Sequence, residues 1–188
     1  MRHLLAILLV LALPVVASAS DYDRRHFYGG WSDADGDCMD LRQELLARSA
    51  SRIGAYDEAG CRIVRGVWID PYAGARVLDP RQVHIDHVIP LRWAWDRGAD
   101  GWTPEKRRAF ALDARFLLAV SGRENRSKGA KGPLEWMPDR VAARCGYVLL
   151  FERGVRTYGL ELDEAERAGL DALRGLVCEG KPEAPTVG

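Results

Sequence analysis

The stretch His84-Ile85-Asp86-His87-Val88-Ile89-Pro90-Leu91 places a carboxylate directly beside an imidazole, within a run of apolar and β-branched residues. Such a run predicts a buried strand over about 82–89, which Pro90 ends because proline has no backbone N–H for a sheet. Acid and base groups therefore stand at the end of a strand, where a site can open. Neighbouring side chains of a strand point to opposite faces, so Asp86 and His87 can serve one centre only if the strand ends or bulges there.

Length and charge indicate one compact domain without a whole-molecule attraction to polyanions. The chain has 188 residues, enough for a single core, and its 27 basic residues are balanced by 27 acidic ones. The basic residues cluster locally, at 106–108 and at 123–131. Local clusters on a neutral protein fit either a substrate-sized anion site or solvated helix faces.

The N-terminus has the features of a secretory signal peptide. A short basic start, an apolar run over 4–13 and the small-residue site Ala17-Ser18-Ala19 predict cleavage after Ala19. Because no second apolar run is long enough to span a bilayer, we expect a secreted or periplasmic protein with no membrane segment in its mature form. The mature domain is expected over 20–180, with a disordered Pro/Gly tail over 181–188.

Four cysteines lie in the exported part: Cys38, Cys61, Cys145 and Cys178. An even count in an oxidising compartment predicts two disulfides, and three pairings are possible. The pairing of Cys38 with Cys61 and of Cys145 with Cys178 is favoured because each closes a loop within one half of the chain. Zinc is disfavoured because no pair has the short spacing of a zinc site and no histidine stands at a ligand interval.

The remaining pattern alternates short strands and helices. Strands are predicted over 60–69, from Val77 and over 115–120, and helices over 40–50, from Pro104, from Ser121, over 139–153 and over 163–177. Ser121 followed by Glu124 forms a capping box, which predicts that a short helix carries Asn125, Arg126 and Lys128 in its first turns. The central order is therefore strand, long excursion, strand, short helix.

An acidic loop precedes the first helix. Asp33, Asp35 and Asp37 alternate, and Glu44 follows Asp33 by eleven positions, which is similar to a calcium-binding loop. The glycine at Gly36 is fourth in the loop, whereas an EF-hand has it sixth. A capped turn is the default interpretation, and a structural Ca²⁺ at these carboxylates is the alternative.

Four motifs in this order resemble the secreted bacterial HNH endonucleases, of the GmrSD/HNH-like kind. They are Asp-Gly-Asp-Cys at 35–38, Gly-Cys-Arg at 60–62, Asp-His-Val-Ile-Pro-Leu at 86–91 and Asn-Arg-Ser-Lys-Gly at 125–129. Each motif alone is weakly specific, whereas the ordered set is specific. The resemblance implies an α+β fold: a ββα-metal core with an added N-terminal helix and hairpin, C-terminal helices and disulfides.

The resemblance also implies metal-dependent hydrolysis of nucleic-acid phosphodiester bonds at low sequence specificity. Asp86 and Asn125 would bind one divalent cation, Mg²⁺ in preference to Mn²⁺, and His87 would be the general base. The oxygen ligands suit a hard cation, and an imidazole suits proton transfer near neutral pH. The expected substrate is DNA rather than RNA, and the expected state is a monomer.

Three further side chains are candidates for substrate contacts. Lys128 lies one turn from Asn125 on the same helix face and could bind a phosphate, and Arg126 could clamp a neighbouring phosphate or pair on the side of Glu124. His84 shares the strand face of Asp86, so it is an extra ligand or substrate contact, or a packing residue.

One departure from the family's motif favours functions other than catalysis. The middle Asn of the HNH pattern falls at Phe116, whose ring cannot make the bracing hydrogen bond, so Asp113 or a backbone carbonyl is expected to hold His87. Asp86 could instead be a structural ion pair, and His87 a core histidine bonded to backbone. A non-catalytic nucleic-acid-binding or envelope protein on a degenerate nuclease scaffold is therefore the second hypothesis, and a calcium-stabilised structural domain is the third.

Overall fold

The computed structural model describes residues 21–179, so the predicted signal peptide and the predicted tail lie outside the described residues. Residues 21–179 form six α-helices and five strands in an α+β fold, as predicted. The strands are β1 (Ala50–Tyr56), β2 (Ile63–Ile69), β3 (Arg76–Val77), β4 (Val83–His87) and β5 (Leu117–Ser121). The helices are α1 (Leu41–Ser49), α2 (Leu91–Trp95), α3 (Pro104–Ala111), α4 (Gly122–Lys128), α5 (Val141–Tyr158) and α6 (Glu164–Cys178).

The strands form two separate antiparallel sheets. One has the order β1-β2-β3, and the other pairs β4 with β5. Among the described residues, no helix is both long enough and apolar enough to cross a bilayer.

The pair β4–β5 followed directly by α4 is the ββα unit that the motifs predict. The ladder runs from Val83 opposite Ser121 to His87 opposite Leu117. The Ser121 side chain then accepts the Glu124 N–H, which caps α4. The strand ends at His87, two residues earlier than its apolar run indicated, and no register shift interrupts it.

The two faces of β4–β5 have different environments. Val83, Ile85, Leu117 and Ala119 pack against α1 and β2 in one apolar cluster. The opposite face, which carries His84 and Asp86, lies toward α4. Alternation along β4 therefore keeps one face in the core and turns the polar residues toward the short helix.

Two elements were not predicted from the sequence. Strand β1 follows α1 with no linker, and most of its residues are exposed, so it lacks the apolar alternation that marks a half-buried strand. Helix α2 has only five residues, too few to show a helical period.

Both disulfides have the favoured pairing. Cys38–Cys61 joins the acidic loop to the segment that leads into β2, with a Cα–Cα distance of 5.3 Å. Cys145–Cys178 joins α5 to the end of α6, with a Cα–Cα distance of 4.9 Å. Both cross-links restrict the unfolded chain more than the folded one, which favours the native state.

Helix α5 packs tightly on the segment that follows β4. A Cβ built on Gly154 would lie 2.1 Å from Ile89 Cδ1 and 3.2 Å from the Phe116 ring. Both neighbours are buried. The absence of a side chain at Gly154 therefore lets α5 approach the base of the ββα unit.

We expect Gly154→Ala to destabilise the protein relative to Gly146→Ala, a matched change on the same helix. Overpacking a full core costs about 1–3 kcal/mol, whereas alanine in an exposed helix position gains about 1 kcal/mol over glycine. A Cβ on Gly146 meets no atom within 4 Å. Urea unfolding of the two variants measures the difference, and equal midpoints would contradict the packing described.

Candidate active site

A cavity of about 300 Å³ opens at the end of β4. It brings together the three groups that the sequence placed in one site: Asp86 and His87 from the strand and Asn125 from α4. The other lining residues are Tyr22, Arg24, Ile85, Pro90, Leu91, Arg92, Gly129 and Ala130. Because β4 ends at His87, adjacent residues of opposite strand faces both reach this cavity.

The Asp86 carboxylate is held from two sides. Lys128 Nζ lies 2.9 Å from Oδ1, and the Tyr72 hydroxyl donates to Oδ2 at 2.7 Å. Asp86 is 4% exposed. Burial raises the pKa of this carboxyl, while the charge of Lys128 and the two hydrogen bonds act in the opposite direction. The carboxylate is thus fixed in orientation.

Lys128 is an internal residue, which corrects the expected phosphate contact. Its side chain is 0% exposed, and Nζ donates to the His87 carbonyl oxygen at 2.7 Å as well as to Asp86. Helical spacing correctly puts it on the face of Asn125, but that face is turned toward β4. A fully buried ammonium that already has two acceptors cannot reach a substrate phosphate without breaking them.

The His87 ring is oriented by a backbone carbonyl. Nε2 lies 2.9 Å from Ala111 O, and a carbonyl only accepts, so Nε2 carries the proton and Nδ1 is the basic nitrogen. Burial first, and then the charge of Arg24, lower the pKa of His87 to about 3. The imidazole is therefore neutral at neutral pH, as a proton acceptor must be.

The segment after His87 is braced without the family's middle Asn. The Val88 N–H donates to Phe116 O at 3.0 Å, so the backbone of Phe116 supports the loop while its ring packs in the core. Of the two expected supports for the imidazole, the structure uses a backbone carbonyl. Asp113 instead accepts from Arg115 and Tyr158.

Asn125 and His84 contact each other. Asn125 Nδ2 lies 3.3 Å from His84 Nδ1, which leaves the amide oxygen of Asn125 without that contact. His84 is half-buried and lies beside the cavity rather than among its lining residues. Its burial and the nearby charges of Arg126 and Arg42 lower the pKa of His84.

Arg126 is exposed and stands beside His84. Both His84 Nε2 and Arg126 Nη1 lie within 3 Å of the point where a Cβ on Gly122 would stand, at 2.7 and 2.9 Å. Arg126 does not pair with Glu124, whose carboxylate lies 3.5 Å from Arg123. Its guanidinium is therefore available at the surface next to the site.

Sequence reasoning missed several residues of the site because their contacts are distant along the chain. Tyr72 lies in the turn after β2, and its hydroxyl donates to Asp86 Oδ2. Trp31 lies nearly parallel to the His87 ring, with centroids 6.0 Å apart, and Tyr28 lies 5.8 Å from it. Arg24 lines the cavity in a segment without a clear period, so no local signal singled it out.

The acidic loop has the geometry of a capped turn. Asp33 accepts the N–H groups of Gly36 and Cys38, and Asp37 accepts that of Met39. The carboxylates of Asp33, Asp35 and Asp37 offer oxygens that lie within 4.8 Å of one another at the surface. A structural Ca²⁺ at this loop stays a prediction.

The residues around the cavity fit a small hard cation. Asp86 supplies a fixed carboxylate and Asn125 an amide oxygen, the ligand types that Mg²⁺ uses together with water and substrate phosphate. Each oxygen of Asp86 accepts one hydrogen bond and keeps a second lone pair.

The antiparallel strand pair, the short capped helix and the acid–imidazole–amide set at their junction define the class of HNH-like nuclease domains. A family model described as the C-terminal domain of GmrSD restriction endonucleases matches residues 41–147. The chain belongs to this family. The match includes β4, β5 and α4, and therefore the three central residues of the site.

A fungal relative carries the likeness beyond the matched domain. An uncharacterized secreted protein of Arthroderma benhamiae is 32% identical over 145 residues, which cover 76% of this chain and 70% of the relative. No solved structure matches the chain. The two disulfides and the description of the relative are consistent with export.

We expect Lys128→Met to destabilise the fold by about 3–5 kcal/mol, because it leaves the buried Asp86 carboxylate without its cation. The matched control is Lys131→Met, which removes an exposed lysine just beyond the same helix and is expected to cost less than about 0.5 kcal/mol. Chemical unfolding measures both. Unchanged stability of Lys128→Met together with weaker nucleic-acid binding would restore the phosphate role.

The lowered pKa of His87 predicts a pH-dependent stability. Between about 6.5 and 3 the unfolded histidine binds a proton and the folded one does not, so the contribution is complete above 6.5 and is lost as pH falls. The slope from this group is about 1.4 kcal/mol per pH unit. We expect metal-free wild type to lose stability more steeply than His87→Gln over this range, as measured by urea unfolding. Parallel curves would contradict the buried neutral imidazole.

Proposed function

We propose that this protein is an exported, metal-dependent endonuclease that hydrolyses nucleic-acid phosphodiester bonds with low sequence specificity. The observation that carries the proposal is the common cavity of Asp86, His87 and Asn125, in which the basic nitrogen of His87 has no protein partner among residues 21–179. Family membership supports the class of reaction. DNA is the proposed substrate in preference to RNA, and Mg²⁺ in preference to Mn²⁺.

His87 is the general base in this proposal. With Nε2–H bound to Ala111 O, Nδ1 takes a proton from the attacking water, and the carbonyl steadies the imidazolium that forms. Attack of that water on phosphorus breaks the bond to the 3′ oxygen, which takes a proton from solvent, so that the products are a 5′-phosphate and a 3′-hydroxyl. The low pKa of His87 describes the cavity without substrate, and the negative charge of a bound phosphodiester would favour the protonated ring.

Asp86 and Asn125 would hold the divalent cation. When bound, such an ion neutralises charge on the phosphate and on the leaving oxygen. Lys128 and Tyr72 keep the carboxylate aimed, and these two residues therefore act as positioning residues rather than ligands. Arg24 lines the same cavity and is a candidate for a direct contact with a phosphate oxygen.

Two observations support the alternative that Asp86 and His87 have a structural role only. Asp86 does form a buried ion pair, and His87 does bond to backbone, which are the two features of a non-catalytic core. A purely structural pair, however, has no need of an adjoining cavity that also exposes an amide from a second element. The two hypotheses differ in their answer to one assay.

We expect the mature protein to nick and linearise plasmid DNA with Mg²⁺, and a chelator to stop it. His87→Ala should lower the rate by about 10²–10⁴, the usual contribution of a general base. His26→Ala is the matched control, because that exposed histidine stacks on Trp95 outside the cavity and should retain full activity.

Salt-sensitive DNA binding without cleavage, under either Mg²⁺ or Mn²⁺, would instead support the degenerate scaffold. Equal nicking by wild type and His87→Ala would remove His87 from the chemistry. Circular dichroism of each variant shows whether a loss of activity comes from unfolding.

A further inference from the structure

A second, larger cavity lies next to the candidate active site. It measures about 630 Å³ and is formed by α1, the start of β2 and the segment before β4. Trp31 lines this second cavity and lies nearly parallel to the His87 ring, which lines the first. The contact between these two rings therefore connects the walls of the two cavities.

Arginine side chains line the second cavity. Arg42, Arg62 and Arg81 all contribute to its surface, together with Asp33 and Asp40. The two aspartates are already engaged by backbone N–H groups, in the acidic loop and at the cap of α1. Arg81 forms a salt bridge with Asp79, whereas neither Arg42 nor Arg62 pairs with any carboxylate of residues 21–179.

Contacts connect this cavity to the catalytic residues. Arg42 Nη2 donates to Val83 O and to Pro80 O, each at 3.1 Å, so its guanidinium is fixed beside the start of β4. Val83 precedes His84, which contacts Asn125 and lies beside Arg126. A row of arginines, Arg126, Arg42 and Arg62, therefore leads from α4 past His84 to the second cavity.

Hydrolysis in the first cavity does not require this row of arginines. One diester needs only the ligands, the base and one phosphate contact, all of which the first cavity supplies. Arginines that pair with no carboxylate and continue past the reacting centre, together with the half-buried Trp31 in the wall of the second cavity, are the features of a site that follows a sugar–phosphate backbone and stacks a base.

We propose that Arg126, Arg42 and Arg62, with Trp31, form a track that binds the phosphates and a base of one polynucleotide strand beyond the scissile bond. This inference rests on the proposed function, which places the scissile bond in the first cavity. It names the substrate class as a polynucleotide rather than a mononucleotide diester. Arginine contacts to phosphate carry no sequence information, so the track agrees with low specificity.

The test compares a track variant with a charge-matched control. Arg62→Gln/Arg126→Gln removes two exposed arginines of the track, and Arg52→Gln/Arg153→Gln removes two exposed arginines elsewhere. Arg42 is left in place because it bonds to backbone and its loss could disturb the fold. Melting temperatures of both double variants confirm that they are folded.

Binding of a labelled single-stranded oligonucleotide is measured by fluorescence anisotropy without metal, over a range of salt concentrations. We expect the track variant to bind about tenfold more weakly or worse, and its plot of log affinity against log salt to be shallower by about 0.7 per arginine removed. The control variant should match wild type. Equal affinity and slope in both variants, or no binding by wild type, would overturn the track.

Assays of hydrolysis distinguish a failure of this inference from a failure of the proposed function. For plasmid or oligonucleotide cleavage, the track variant should show a raised KM. Arg62→Gln alone, at a residue that does not line the first cavity, should keep kcat nearly unchanged and should hydrolyse bis(4-nitrophenyl) phosphate at the wild-type rate. Weakened binding by the track variant in a protein that cleaves nothing would support the track and reject the nuclease. Normal KM in an active track variant would reject the track alone.

Discussion

The buried contact between Lys128 and Asp86 is the constraint on which the site depends. It joins the last residue of α4 to β4, and the same ammonium also holds the carbonyl oxygen of His87. A buried charge is tolerated only when it keeps its oppositely charged partner. Separating α4 from β4 would therefore carry a large cost in free energy. Lys128 therefore helps both to orient the carboxylate and to hold α4, which carries Asn125, against β4.

Local sequence signals predicted the strands and the helix of the ββα unit, but not the buried contacts between them. Ser121 caps α4 as expected, β4 ends where the acid and the base must reach one centre, and both disulfides have the favoured pairing. Those features depend on neighbours in the sequence or on loop closure. The shared face of Asn125 and Lys128 was also predictable, since it follows from helical spacing, whereas the direction of that face is set by tertiary packing.

The supports of the site come from distant segments, which explains why the sequence did not reveal them. Tyr72 stands in the turn between β2 and β3, and Trp31 precedes α1, so neither has a local relation to Asp86 or His87. The group that replaces the family's middle Asn could not be predicted either, because every residue has a backbone carbonyl and no residue type marks the one that is used. Ala111 could not be recognised by any motif.

The bond from His87 to Ala111 links the chemistry to the order of assembly. Its acceptor lies at the end of α3, inside the excursion that separates β4 from β5. A chain that had formed only the hairpin and the short helix would leave the ring free to rotate and to exchange its tautomer. The ring is held in one orientation only when the excursion has docked, so this segment helps to build the site as well as connecting the two strands.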